Sequence, residues 1–172
     1  MKSGVEPDVK TSSQRIAIYP GTFDPVTLGH VDVVQRGLKL FDRVVIGVAA
    51  NPNKQPMFDL KTRLSMVCET FADEKRIQTV AFTGLLVDLA RQQQAHAILR
   101  GLRAASDFEY EFQMATMNRR LDADIETMFV MAREDYTFVS SRFIREIASM
   151  GGDVSELVPP GVIPYLKKST LA

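Results

Sequence analysis

Between residue 15 and about residue 150, short β-branched runs alternate with longer amphipathic stretches, and no repeat, low-complexity tract or linker breaks the pattern. Such alternation leaves few folds open. Strands joined by helix-length crossovers pair in parallel, right-handed crossovers lay the helices over the sheet, and one core results. The candidate strands are Arg15 to Tyr19, Arg43 to Ala49, Arg76 to Phe82, Ala97 to Arg100 and Ile125 to Met131. Leu28, Val31, Val34, Leu38 and Phe41 mark one helical face, and Leu64, Val67, Cys68 and Phe71 a second. A third helix is expected from near Leu85. A fourth, Asp107 to Leu121, opens on Asp107, Glu109 and Glu111 and ends on Arg119 and Arg120, a charge order that complements the helix dipole. A fifth runs from Ser141 to Met150 and stops at Gly151-Gly152.

The expectation is a single α/β, Rossmann-like domain over residues 15–172. It has a five-stranded parallel sheet, helices on both faces and a short C-terminal helical segment framed by Pro159, Pro160 and Pro164. Residues 1–14 read as a flexible leader. Lys+Arg and Asp+Glu each total 21, so the overall charge points neither to nucleic acid nor to an anionic membrane. No stretch reaches the roughly 18 apolar residues of a membrane span, and the leader lacks a signal peptide's apolar core. A cytoplasmic protein is expected. Cys68 is the one cysteine, which excludes an internal disulfide; its neighbours Leu64, Val67 and Phe71 suggest a buried structural thiol. Met114, Met117, Met128 and Met131 read as core or interface packing.

Open parallel sheets bind ligands beyond the strand C-termini, where the strand order reverses. Polar residues cluster at those places: Thr22 and His30 after the first strand, Lys54 after the second, Arg100-Gly101-Leu102-Arg103 at the fourth and Tyr136 to Arg142 after the fifth. The segment Ile16 to His30 carries an apolar strand through a Gly/Pro turn into a helix start. Main-chain N–H groups at a helix N-terminus attract anions, Gly21 and Gly29 permit close approach, and Thr22 and His30 add donors. A phosphate-handling site follows.

The missing motifs narrow the chemistry. No Gly-x-Gly-x-x-Gly follows the first strand, no Walker lysine is present, and no Gly-x-Ser-x-Gly elbow surrounds a serine. Two histidines without a Glu-x-x-His arrangement argue against a catalytic zinc site, and no metal ligands are expected. Donors and cations remain, without a nucleophile or general base. That inventory suits phosphoryl or nucleotidyl transfer, in which positioning and charge stabilisation supply the catalysis. Blander readings exist for single residues: Lys54 in a polar loop is ordinarily solvated, and Ser140 and Ser141 are good helix caps.

Tyr19-Pro-Gly-Thr-Phe-Asp-Pro-Val-Thr27-Leu-Gly-His30 resembles the Thr/His-x-Gly-His signature of the nucleotidyltransferase superfamily. Val139-Ser140-Ser141-Arg142-Phe143-Ile144-Arg145 resembles its second, Ser-Ser-x-x-x-Arg-like motif. With Ala49-Ala50-Asn51-Pro52-Asn53-Lys54 and Arg100-Gly101-Leu102-Arg103-Ala104-Ala105-Ser106-Asp107-Phe108-Glu109-Tyr110-Glu111, the chain is similar to the bacterial phosphopantetheine adenylyltransferase family from about Ile16 to Pro160. The resemblance implies transfer of AMP from ATP to 4'-phosphopantetheine, giving 3'-dephospho-coenzyme A and pyrophosphate, with magnesium accompanying ATP. It implies that His30 stabilises the pentacoordinate α-phosphate, that Thr22 and Phe23 meet both substrates, and that Lys54 and Arg100 hold the phosphopantetheine phosphate, Lys54 also serving the reacting centre. Leu86 matches a pantetheine-contacting position. Gly101, Leu102, Arg103 and Glu111, with Tyr136, Thr137, Phe138, Val139, Ser140, Ser141 and Arg142, match ATP-binding positions. Gly84 stands where some members carry Asp. Dephospho-coenzyme A or coenzyme A as ligands and a homohexamer are further implications. Two alternatives are another adenylyl- or cytidylyltransferase with a different acceptor, such as nicotinamide mononucleotide, and a nucleotide-binding scaffold without turnover.

Overall fold

The computed structural model describes residues 14–50, 56–103 and 105–169. The strands are β1 (Ile16–Gly21), β2 (Arg43–Ala49), β3 (Ile77–Phe82), β4 (Ala97–Leu102) and β5 (Glu126–Met131). The helices are α1 (Leu28–Gly37), α2 (Leu60–Thr70), α3 (Leu86–Gln92), α4 (Ala105–Leu121), α5 (Ser141–Ser149) and α6 (Ile163–Ser169). All strand pairs are parallel, in the order β3-β2-β1-β4-β5. The chain winds outward from β1 to β3, then crosses back to lay β4 on the other side of β1. The order therefore reverses between β1 and β4, where a ligand crevice opens at the strand C-termini.

Burial on both faces explains why β1 and β2 read as almost continuous apolar runs. One face carries Ala17, Tyr19, Val44, Ile46 and Leu99 beneath Val33 and Val34 of α1, Met66 and Val67 of α2, Ile144 of α5 and Leu166 of α6. The other carries Ile16, Ile18, Val45 and Ile98 beneath Val87, Leu89 and Ala90 of α3. At the edge, β5 leaves Met128 and Met131 exposed, and the neighbouring α4 exposes Phe112, Met114, Met117 and Leu121. These methionines are not core of this chain.

Several boundaries move for identifiable reasons. Both β1 and β4 run two residues further than the apolar runs suggest, because their ladders continue through Gly21↔Val48 and Leu102↔Met131. At Gly101 an added Cβ would stand 2.6 Å from Val33 Cγ2, so the residue that looks like a strand breaker is what lets α1 lie close to β4. Cys68 is exposed, contrary to the buried thiol expected. The buried face of α2 is Arg63, Met66 and Val67; an apolar count scores Arg63 as surface and so turns the helix toward Cys68. Among the described residues no helix is long and apolar enough to cross a membrane.

Candidate active site

A cavity of about 770 Å3 opens at the C-terminal ends of β1, β2 and β4 and continues along α4. It brings together Thr22, Phe23, His30, Leu86, Arg100, Gly101, Arg103, Glu111, Tyr136, Val139, Ser140, Ser141 and Arg142 from the sequence-derived set. Leu102 lies buried in β4, Phe138 is exposed, and Thr137 turns its hydroxyl to the Glu134 carbonyl; these three do not line the cavity. Lys54 lies outside the described residues.

His30 occupies the third position of α1, where capping decides its chemistry. Thr27 is the N-cap, with extended backbone at φ −126° and ψ 165°, and its Oγ1 accepts the His30 main-chain N–H at 3.4 Å. In return, His30 Nδ1 accepts the Thr27 main-chain N–H at 3.0 Å, a capping box in which imidazole stands where Glu or Gln is usual. With Nδ1 committed as an acceptor, the ring proton resides on Nε2, the donor left for the cavity. Burial, reinforced by Arg103 and Arg100, pushes the His30 pKa down to about 4. The imidazole is therefore neutral near pH 7 and donates without exchanging its proton.

The ring is held edge-on by Phe23, with centroids 4.9 Å apart. Phe23 has φ +50°, an unusual conformation for a bulky residue that persists where packing enforces it. The residue as a whole is only 2% exposed, so Phe23 shapes the cavity wall and offers a ligand little surface of its own. Gly21 makes room for it: a Cβ there would lie 2.9 Å from the Phe23 ring. Burial holds the Tyr19 phenol well above its ordinary pKa, against Arg100 and Arg103, so no phenolate is available as a base.

Arg100 and Glu111 form a two-pronged ion pair, Arg100 Nε donating to Glu111 Oε2 at 2.7 Å and Nη2 to Oε1. Arg100 Nη1 also donates to the Pro20 carbonyl at 3.0 Å. Three of its five N–H donors are thus committed, which fixes the guanidinium plane and leaves two for a ligand. Arg103 Nη1 reaches the Val139 carbonyl at 3.3 Å. On α5, Ser140 is the N-cap and accepts the Phe143 N–H at 3.2 Å, while Ser141 Oγ donates to the Pro25 carbonyl at 2.8 Å. Two helix N-termini, those of α1 and α5, therefore converge on one cavity, each favouring negative charge.

Residues outside the sequence-derived set frame these donors. Arg63 is 3% exposed and donates from Nε to the Phe58 carbonyl at 3.0 Å and from Nη1 to the Thr22 and Ala49 carbonyls at 2.7 and 2.8 Å. Asp24 accepts the Met57 and Phe58 N–H groups at 2.9 and 3.0 Å, and Arg145 pairs with it at 3.1 Å. Arg145 ends the second motif and lines the cavity, so its signal was present without a role attached. Along the inner side of α4, Glu111, Ala115 and Asn118 follow at helical spacing and line the cavity with Leu86 and Thr127. Thr127 Oγ1 is buried and has no hydrogen-bond partner. The i, i+4, i+7 pattern from Glu111 was the available clue to Asn118.

The chain matches the model of the cytidylyltransferase-like family over residues 18–147. It is 52% identical over 154 residues to the phosphopantetheine adenylyltransferase of Anaeromyxobacter dehalogenans (strain 2CP-C) and 51% identical to that of Anaeromyxobacter sp. (strain K). Each alignment covers 90% of this chain and 94% of the relative. Among solved structures, a protein assigned as a nicotinate-nucleotide adenylyltransferase from Vibrio parahaemolyticus superposes with a TM-score of 0.69. It is 22% identical, covering 90% of this chain and 99% of that one, and supports the fold alone.

Proposed function

The chain belongs to the phosphopantetheine adenylyltransferases within the cytidylyltransferase-like family, and we propose that it moves AMP from ATP to 4'-phosphopantetheine, releasing pyrophosphate and 3'-dephospho-coenzyme A. The observation that carries this reading is the neutral His30, its proton on Nε2, at the meeting point of two helix N-termini beside Arg100 and Arg103. An oxygen of the acceptor's 4'-phosphate bonds to the α-phosphorus of ATP. The bond from that phosphorus to the bridging oxygen breaks, and pyrophosphate leaves with the electron pair. A phosphate monoester, with its second pKa about 6, is already ionised at neutral pH, so no general base is needed. His30 Nε2–H stabilises the charge that builds on the α-phosphate, and the helix N-termini add fixed dipoles.

Thr22, Lys54 and Arg100 are the residues proposed for the acceptor phosphate, and Leu86 for the pantetheine arm, with Asn118 and Thr127 offering amide partners further along. Gly101, Arg103, Tyr136, Val139, Ser140, Ser141 and Arg142 are proposed for ATP. Magnesium is proposed to travel with the triphosphate. Among the described residues no three metal-ligating side chains converge, and the carboxylates of Asp24 and Glu111 are engaged by N–H groups and arginines. Phosphate oxygens and water are its natural ligands here. A cytoplasmic homohexamer is proposed as the working form, the apolar surface of α4 and β5 being the face that self-assembly would cover.

Pyrophosphate release should be measured with ATP plus 4'-phosphopantetheine, with CTP in place of ATP, and with nicotinamide mononucleotide as acceptor. Rapid release only with the first pair is expected. Preference for CTP or nicotinamide mononucleotide would reassign the reaction, and no release from any pair would favour a scaffold.

A further inference from the structure

We propose that Asp32 is a positioning residue for the nucleotide, its carboxylate fixing the corner from which segment 133–142 returns over the start of α1. This rests on the ATP-binding reading of that segment. Asp32 lies two residues beyond His30 and is 7% exposed. Its Oδ2 accepts the Arg133 main-chain N–H at 3.1 Å, joining positions 101 residues apart in sequence. Arg36 Nε, one turn along α1, donates to both carboxylate oxygens at 3.2 and 3.1 Å and holds the side chain in place.

Arg133 is where the chain departs from the sheet. Ala132 N–H still donates to the Leu102 carbonyl at 2.9 Å, whereas Arg133 opens a 3-10 turn over Glu134–Tyr136. Downstream, Tyr136 stands over Gly29, where an added Cβ would lie 3.7 Å from Tyr136 Cβ, and Ser141 Oγ is bonded to the Pro25 carbonyl. The segment is thus hydrogen-bonded at its start and end to residues 25–32, the stretch that carries His30, and passes close over Gly29 between them. A carboxylate bonded to a main-chain N–H is a strong, directional tie, and this one sets the distance between the nucleotide segment and the imidazole. It touches no part of the arm lined by Leu86 and Asn118.

The test compares Asp32→Ala, Asp32→Asn and Arg36→Met by steady-state kinetics and by hydrogen exchange. Losing this charged hydrogen bond in Asp32→Ala should raise KM for ATP about tenfold, leave KM for 4'-phosphopantetheine within about twofold, and speed exchange in residues 133–140. Exchange in β1 and β2 should not change. Asp32→Asn keeps an oxygen acceptor for Arg133 and should recover most of the ATP affinity, and Arg36→Met, which loosens the carboxylate but leaves it able to accept from Arg133, should raise KM for ATP less than Asp32→Ala does. If Asp32→Ala does not fold, Asp32→Ser, too short to reach Arg133, should give the same split between the two KM values. Equal rises in both KM values, an Asp32→Asn as impaired as Asp32→Ala, or unchanged exchange in 133–140 would overturn the proposal. If the parent releases no pyrophosphate, the adenylyl-transfer reading fails, and exchange alone still decides whether Asp32 fastens the segment.

Discussion

At the scale of single residues, the chemistry turns on which nitrogen of His30 holds the proton. Thr27, with its extended backbone, answers that by donating its own N–H to Nδ1. His30→Ala should therefore lower turnover by about 10²- to 10³-fold, the loss typical of one transition-state donor, with a much smaller change in ATP affinity. Equal losses in turnover and in calorimetric affinity would contradict this role. The depressed pKa makes a separate prediction. The folded value is about 4 against 6.5 for the free side chain, so between those pH values the unfolded chain binds the additional proton. Stability then rises with pH across that window, and the contribution is lost as pH falls toward 4. Thermal melts of the parent should show this slope and His30→Gln should flatten it; identical slopes would place the titration elsewhere. His30 itself was legible from Thr27, Gly29 and the turn before them. Its tautomer was not, because that depends on the conformation of Thr27.

At the scale of elements, the site stands on ties between segments distant in sequence. Arg63 on α2 binds carbonyls at the end of β2, at Thr22 and at Phe58. Arg63→Met would leave these acceptors without their donor and should cost about 3 kcal/mol by urea unfolding. Arg63→Lys should recover only part of that, since an ammonium lacks the planar fork. A midpoint unchanged in Arg63→Met would show that water replaces the guanidinium at no cost. Strand and helix types were legible from β-branched runs and apolar spacing. The ties were not, because Arg63, Asp24 and Asp32 are charged residues that a pattern count assigns to the surface. The misplaced face of α2, with Cys68 turned inward, came from the same error. Arg100 and Glu111 were both singled out, yet eleven positions of spacing on two elements gave no sign that they pair.

At the scale of the molecule, the order β3-β2-β1-β4-β5 puts the reversal beside β1, so one crevice receives residues from β1, β4, α4 and the turn after β5. Alternation along the chain foretold five parallel strands and a site at their C-terminal ends. It did not foretell the order, which depends on where the β3 to β4 crossover returns. Phe112, Met114, Met117 and Leu121 of α4 are exposed, so Met114 and Met117 are not core, and the proposed assembly face includes Met117. Met117→Glu should therefore lower the molar mass measured by light scattering, and an unchanged mass would move the assembly surface elsewhere.

The central claim is that donors from separate loops surround one phosphorus, with a neutral imidazole at its side. A crystal structure of the complex with 3'-dephospho-coenzyme A tests it most directly. The prediction is that an oxygen of the adenylyl phosphate lies about 3 Å from His30 Nε2, between Thr22 and the α5 N-terminus. A ligand seated with its phosphates away from His30, or an imidazole offering Nδ1 in place of Nε2, would contradict the account.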